Sequence, residues 1–275
     1  MKTGVASNRR FKITGHLPDI YEAISAQRRA IQLVPNENEI VPSMLSNLTN
    51  SYQSRFNHIS DLADISEAIS LQQRAVQLTP NGHASMLARV HNLGNYFESR
   101  FEHTGDISDI SEAILFQQRA VQLMASDNAN MPGLLNNLAL LFRRRFERIG
   151  ELNDISEAIT IHQRAIRLIP IGHADMAAIT NNIGVAFQCR FEHTSDLVDI
   201  SEAIEFQRQA IQALSKDDTI IPVWSNNLGT SFMRRYERNN DLSDLAESIS
   251  MQKQAIQLGP AHADVGAWHL SGPTI

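Results

Sequence analysis

Residues 136–170 read NNLALLFRRRFERIGELNDISEAITIHQRAIRLIP, and this stretch decides the fold. Leu138, Phe142, Phe146 and Ile149 recur at helical spacing and form one apolar stripe, with arginine and glutamate between them. After a short break, Asp154-Ile-Ser-Glu157 carries an N-cap acid with a glutamate three residues on, the spacing of a capping box. Ile155, Ala158, Ile159, Ile161, Ala165, Ile166 and Leu168 then make a second, broader stripe. The stretch is therefore two amphipathic helices joined by a tight connection, and Pro170 stops the second one.

The same pattern runs along the chain. The segment D-I-x-E-A-I stands at Asp19, Asp64, Asp109, Asp154 and Asp199 and returns as DLAESI at Asp244, each copy 45 residues after the last. A fixed period of this size indicates stacked helical units with a shared core. The expectation is an all-α, right-handed α-solenoid of antiparallel helix pairs occupying residues 1–275 as one array. Residues 1–12 read as the remnant of a first helix, because Arg10 and Phe11 align with Arg55 and Phe56. Second helices fall near 19–34, 64–79, 109–124, 154–169, 199–214 and 244–259. First helices fall near 41–58, 85–103, 131–148, 175–193 and 221–238. Over residues 261–275 the pattern degenerates, SGPTI standing where N-N-L-G-x-x-F is due.

Composition narrows the function classes. The net charge of −6 and pI of about 5.9, with acids and bases interleaved, weigh against nucleic acid as the main partner. No apolar run is long enough to span a membrane, and MKTGVASNRRF lacks the apolar core of a secretory signal. With Cys189 alone there is no internal disulfide framework, so a cytoplasmic setting is the default, a nuclear one standing beside it. Cys189 aligns with Ser54, Ser99 and Arg144 and is expected to be an exposed bystander. No HExxH, CxxC, P-loop or dinucleotide motif occurs, so neither catalytic residues nor a metal or cofactor is expected. Exposed apolar faces at the ends of such an array invite self-association.

The motifs resemble those of the tetratricopeptide (TPR) family. Leu93-Gly94-x-x-Phe97 supplies the family's L-G-x2-Y step, and Ala68, Ala75 and Pro80 sit at its later spacings. The family unit has 34 residues, so a 45-residue unit implies a lengthened first helix. LLNNLAL at 134–140 is similar to the string typical of kinesin light chain repeats. The chain also resembles the arrays of fungal proteins that carry a downstream CHAT domain, a caspase-like protease module. The departure is at the family's tryptophan position, filled here by Val90, Leu135, Thr180 and Ser225. The resemblance implies a protein-interaction scaffold rather than an enzyme. The alternative it implies is a sensor or regulatory arm of such a protease, its catalytic domain absent from this chain.

Two sets of repeated residues call for a role. Arg10, Arg55, Arg100, Arg145, Arg190 and Arg235 form an unbroken column, as do Glu22, Glu67, Glu112, Glu157, Glu202 and Glu247. Identical charges at identical stations suggest identical local bonds, here from the arginine to the acidic start of the following helix, the alternative reading being a phosphate-binding arginine column. The second set is Asn47, Asn92, Asn137, Asn182 and Asn227, preceded by Ser46, His91, Asn136, Asn181 and Asn226. Asparagine is a poor mid-helix residue, so five copies need a cause. By the resemblance this column lines a concave groove and bonds the backbone of an extended peptide. The other reading is a bond between repeats. One turn on, Asn95 and its counterparts Asn50, Leu140, Val185 and Thr230 would set specificity, followed by Gln53, Glu98, Arg143, Gln188 and Met233. Neither turn carries the repeated bases of a carboxylate clamp, so a C-terminal acidic ligand of the chaperone type is not expected.

Overall fold

The computed structural model describes residues 2–170, 172–215 and 217–258. The sequence reading of 261–275 thus lies outside the described residues, which form twelve α-helices and no strand. The chain divides into two compact units, Met1–Ser126 and Asp127–Ile275.

The first unit holds α1 (Lys2–Thr14), α2 (Leu17–Gln32), α3 (Val41–Ile59), α4 (Leu62–Gln77), α5 (Met86–Thr104) and α6 (Ile107–Leu123). The second holds α7 (Met131–Ile149), α8 (Leu152–Leu168), α9 (Met176–Thr194), α10 (Leu197–Gln212), α11 (Ile221–Asn239) and α12 (Leu242–Leu258). Odd and even helices pair, and within each unit every pair stacks on the next through α2 with α3, α4 with α5, α8 with α9 and α10 with α11. This is the all-α, solenoid-type arrangement expected from the period. First helices α3, α5, α7, α9 and α11 each run 19 residues.

Each pair turns on two residues. The first helix ends on a left-handed cap at Gly15, Ser60, Gly105, Gly150, Ser195 or Asn240, whose N–H donates to the carbonyl of Phe11, Phe56, Phe101, Phe146, Phe191 or Tyr236 at 2.7–2.8 Å. The next residue caps the second helix. Asp61, Asp106 and Asp196 accept from the N–H two residues on. The N-cap therefore stands three residues before the position read from the sequence: Glu151, not Asp154, opens α8. Asp154 is in the first turn and buried, and its carboxylate is already committed elsewhere.

That commitment is to the arginine column. Arg10, Arg55, Arg100, Arg145, Arg190 and Arg235 each grip the aspartate nine residues on (Asp19, Asp64, Asp109, Asp154, Asp199, Asp244) with two parallel bonds, Nε to Oδ2 and Nη2 to Oδ1, at 2.5–2.8 Å. From the second pair on, the guanidinium also lies over the aromatic ring three residues before it, Tyr52, Phe97, Phe142, Phe187 or Phe232, at 5.4–5.6 Å. In the first pair Ser7 replaces the ring, and Arg10 stays 58% exposed against 27% for Arg100. The hydrogen bonds to the aspartates hold the arginines above the usual guanidinium range.

A second device sets the helix spacing. A Cβ on Gly94 would lie 3.1 Å from the Gln117 amide nitrogen, and one on Gly184 would lie 2.8 Å from Gln207 Cγ and 3.1 Å from the Ala203 carbonyl oxygen. The glycine of the L-G step thus admits a buried glutamine from the second helix. Around these contacts the core is built from Leu138, Phe142, Phe146, Ile155, Ala158, Ile159 and their equivalents. Ile149, read as part of the stripe, is 44% exposed in the last turn before the Gly150 cap.

Asp109→Ala leaves a partly buried guanidinium without its acceptor. It is expected to cost about 2–3 kcal/mol in urea unfolding, less than a fully buried broken pair because Arg100 keeps some solvent contact. Asp19→Ala, facing the exposed Arg10, is expected to cost clearly less.

Candidate functional site

In the first unit, α1, α3 and α5 line a concave pocket of about 520 Å³. Its wall is rich in amides: Asn50, Gln53 and Asn57 from α3, Asn92 and Asn95 from α5. Ser54, Ser99 and Tyr96 add hydroxyls, while Phe11, Lys12, Gly15 and His58 complete it. No carboxylate is among the lining residues, although the protein is net acidic.

The amides face the pocket because helical spacing puts Asn50, Gln53, Ser54 and Asn57 on one side of α3, and Asn92, Asn95, Tyr96 and Ser99 on the same side of α5. Some are held. The Tyr96 hydroxyl donates to Asn50 Oδ1 at 3.0 Å, and burial pushes its pKa up to about 12, so it stays a donor. Gln117 donates to Asn95 Oδ1 at 2.6 Å, and His91 Nδ1 lies 2.8 Å from Gln117 Oε1. Gln53 donates to Asn57, while its own oxygen is buried without a partner. The Asn92 amide makes no hydrogen bond to any described residue.

The ten asparagine and histidine positions singled out in the sequence do not share one environment. Asn92 and Asn95 line the pocket, His91 is held behind Asn95, and Asn47 is half-buried beside the pocket residues of α3 without lining it. In the second unit Asn182 donates to Asn136 at 2.9 Å, the inter-repeat bond of the structural reading. Asn137 is exposed, Asn226 and Asn227 are half-buried, and Asn181 is buried with its oxygen unpartnered. Asn47, Asn92, Asn137 and Asn227 form no side-chain hydrogen bond among the described residues, so the inter-repeat bond accounts for one of five column members. Sequence reading placed Asn50 and Gln53 as groove positions but passed over Asn57, Tyr96 and Lys12. Asn57 follows Gln53 by one helical turn and could have been found by extending the face.

Two further groups in the second unit matter for chemistry. Cys189 is half-buried rather than exposed, near Arg143 and 3.8 Å from Glu147, and burial pushes its thiol up to about 12, which makes it a poor nucleophile. His162 stands where the other repeats have Gln27, Gln72, Gln117, Gln207 and Gln252. It is fully buried with both ring nitrogens unpartnered, and burial, helped by the nearby Arg143, holds its pKa down to about 4. Among the described residues no group of three or more His, Cys, Asp or Glu could hold a metal ion, and no helix is long and apolar enough to cross a membrane.

No protein-family model matches the chain, and no curated protein matches it. Solved structures do. The C-terminal part of a TPR repeat-containing protein from Cytophaga hutchinsonii superposes with a TM-score of 0.64 at 13% identity, covering 96% of this chain and 86% of that one. A kinesin light chain-like protein of Podosopora anserina with nearly identical TPR-like repeats gives 0.57 at 16% identity, over 77% and 93%. MamA gives 0.55 at 13% identity, over 82% and 100%. The fold is thus that of TPR-like helical repeat proteins, as the family resemblance carried by Leu93, Gly94, Phe97 and Pro80 implied.

His162 gives a pH signature. It is neutral in the fold and protonates in the unfolded chain below about 6.5, so its contribution is present above that pH and lost as pH falls towards 4. Chemical denaturation of wild type and His162→Gln across pH 7 to 4 should show wild type losing roughly 3 kcal/mol more than the variant.

Proposed function

We propose that this chain is a protein-interaction module that takes an extended peptide segment in the pocket of α1, α3 and α5. The observation that carries the reading is the amide wall, with Asn92 free of any partner among the described residues and Asn50 holding an unused amide N–H. A primary amide offers donors and an acceptor together, which is the complement of a peptide group. Such bonds read the ligand's backbone and leave its side chains to the rim. The rim carries Lys12 and His58 and no acid, so it favours ligand segments that are neutral or acidic next to the bound backbone. The volume is in the range that encloses a few residues of a chain.

The module adds no chemistry of its own in this reading. Affinity comes from several modest bonds, each contributing about 0.5–1.5 kcal/mol net.

The test is selection of peptides from a random library on the full chain, then fluorescence anisotropy of the best binder. Asn50→Ala/Asn92→Ala should weaken binding by roughly tenfold, two such bonds being removed, with unchanged circular dichroism. Alanine is the better helix former, so lost binding would not be lost folding. Equal affinity for wild type and variant, or binders that compete with nothing in the pocket, would refute the reading.

A further inference from the structure

Arg89 in α5 is buried, 6% exposed, and no carboxylate reaches it. Its Nη1 donates to the Thr79 hydroxyl at 2.7 Å and its Nη2 to the Ser43 hydroxyl at 2.9 Å, and these are neutral partners. The site is particular to this repeat. The equivalents of Arg89 are Met44, Leu134, Ile179 and Trp224, and those of Thr79 are Val34, Met124, Ile169 and Leu214. In the second unit Trp224 packs with Ala177, Ala210 and Leu214 as an ordinary apolar cluster. Here an apolar contact has become a cation with two hydroxyls. Burying a charge without a counter-charge is costly. The C-terminal end of α4, next to Thr79, supplies only the partial negative charge of a helix end.

Ser43 shows where an anion would sit. It is exposed and lies in the first turn of α3, a 19-residue helix whose N-cap, Ile40, offers no side-chain bond. Val41 and Met44 N–H are bonded to Asn38 and Ile40, Pro42 has none, and Ser43 N–H is unused among the described residues. The Ser43 hydroxyl proton likewise has no acceptor among them. Glu37 and Glu39, in the loop before α3, are exposed and pair with no described cation.

We propose that Arg89 and the first turn of α3 form a binding site for a phosphate-class oxyanion, held by Arg89 Nη2, the Ser43 hydroxyl and the Ser43 N–H. A tetrahedral oxyanion suits three donors of which one is charged. It would enter over Ser43, drawing the guanidinium bond from the serine oxygen to itself and supplying the missing counter-charge. The site is independent of the amide pocket: Asn92 lies one turn further along α5, and none of Ser43, Thr79 or Arg89 lines the pocket.

The experiment titrates inorganic phosphate, and separately O-phosphoserine, into the full ¹⁵N-labelled chain at constant ionic strength set with chloride. Thermal unfolding and amide spectra are recorded for wild type, Arg89→Met and Ser43→Ala. Methionine is the residue of the first equivalent position and alanine occurs at two equivalents of Ser43, Ala88 and Ala178, so both variants keep the local packing. If Arg89→Met does not match the wild-type circular dichroism, Arg89→Gln takes its place. Wild type should show a saturable rise in Tm with the Ser43 amide shifting in step, Arg89→Met should show neither, and Ser43→Ala should bind several-fold more weakly. Tighter response to O-phosphoserine than to phosphate assigns the site to monoesters, and the reverse to the free ion. No saturable response in wild type, or the same response in Arg89→Met, overturns the proposal.

Discussion

The fold depends on the fork between the arginine at the end of each first helix and the aspartate in the first turn of the next. The connection between the two helices is only two residues, a left-handed cap and an N-cap, so the chain has no slack with which to adjust the angle. A guanidinium bonded through Nε and Nη2 to both carboxylate oxygens fixes direction as well as distance. The ring beneath the arginine and the buried aspartate carboxylate make the arrangement costly to leave. Gly94 and Gly184 then let the helices close around a glutamine further along. With the arginine fork repeated at 45-residue intervals, the first helices of a unit present equivalent faces, and that repetition turns isolated asparagines into a wall.

The period, the helix pairs and the arginine bonds were legible in the sequence because they repeat without variation. A contact made six times leaves six copies of both partners. The N-cap was misread for a physical reason: Glu151 and Asp154 are both acidic, as are their counterparts in most repeats, and D-I-S-E imitates a capping box. Only burial distinguishes the acid that bonds the arginine (Asp154) from the one that opens the helix (Glu151). The asparagine column was harder, because its members meet different neighbours. Asn182 reaches Asn136, whereas Asn92 has no partner among the described residues. Residue identity at a station says what a side chain can bond, and the neighbour decides whether it does.

The breaks in the columns carry the rest of the information. His162 replaces a glutamine whose amide bonds other helices in Gln72, Gln117 and Gln207, and both of its nitrogens go unpartnered. Arg89 replaces an apolar residue and brings Thr79 with it. Both substitutions are visible once the repeats are aligned, but their meaning comes from burial, which a single sequence does not display.

The central claim is that the amide wall of α1, α3 and α5 is left open for another chain's backbone. The most direct measurement is the side-chain amide ¹⁵N spectrum of the protein with and without a saturating selected peptide, assigned at Asn50, Gln53, Asn57, Asn92 and Asn95. Large shifts and slowed exchange are predicted at Asn92 and Asn50, with the second-unit amides Asn137 and Asn227 unmoved. Shifts confined to other faces, with Asn92 and Asn50 unchanged at saturation, would contradict it.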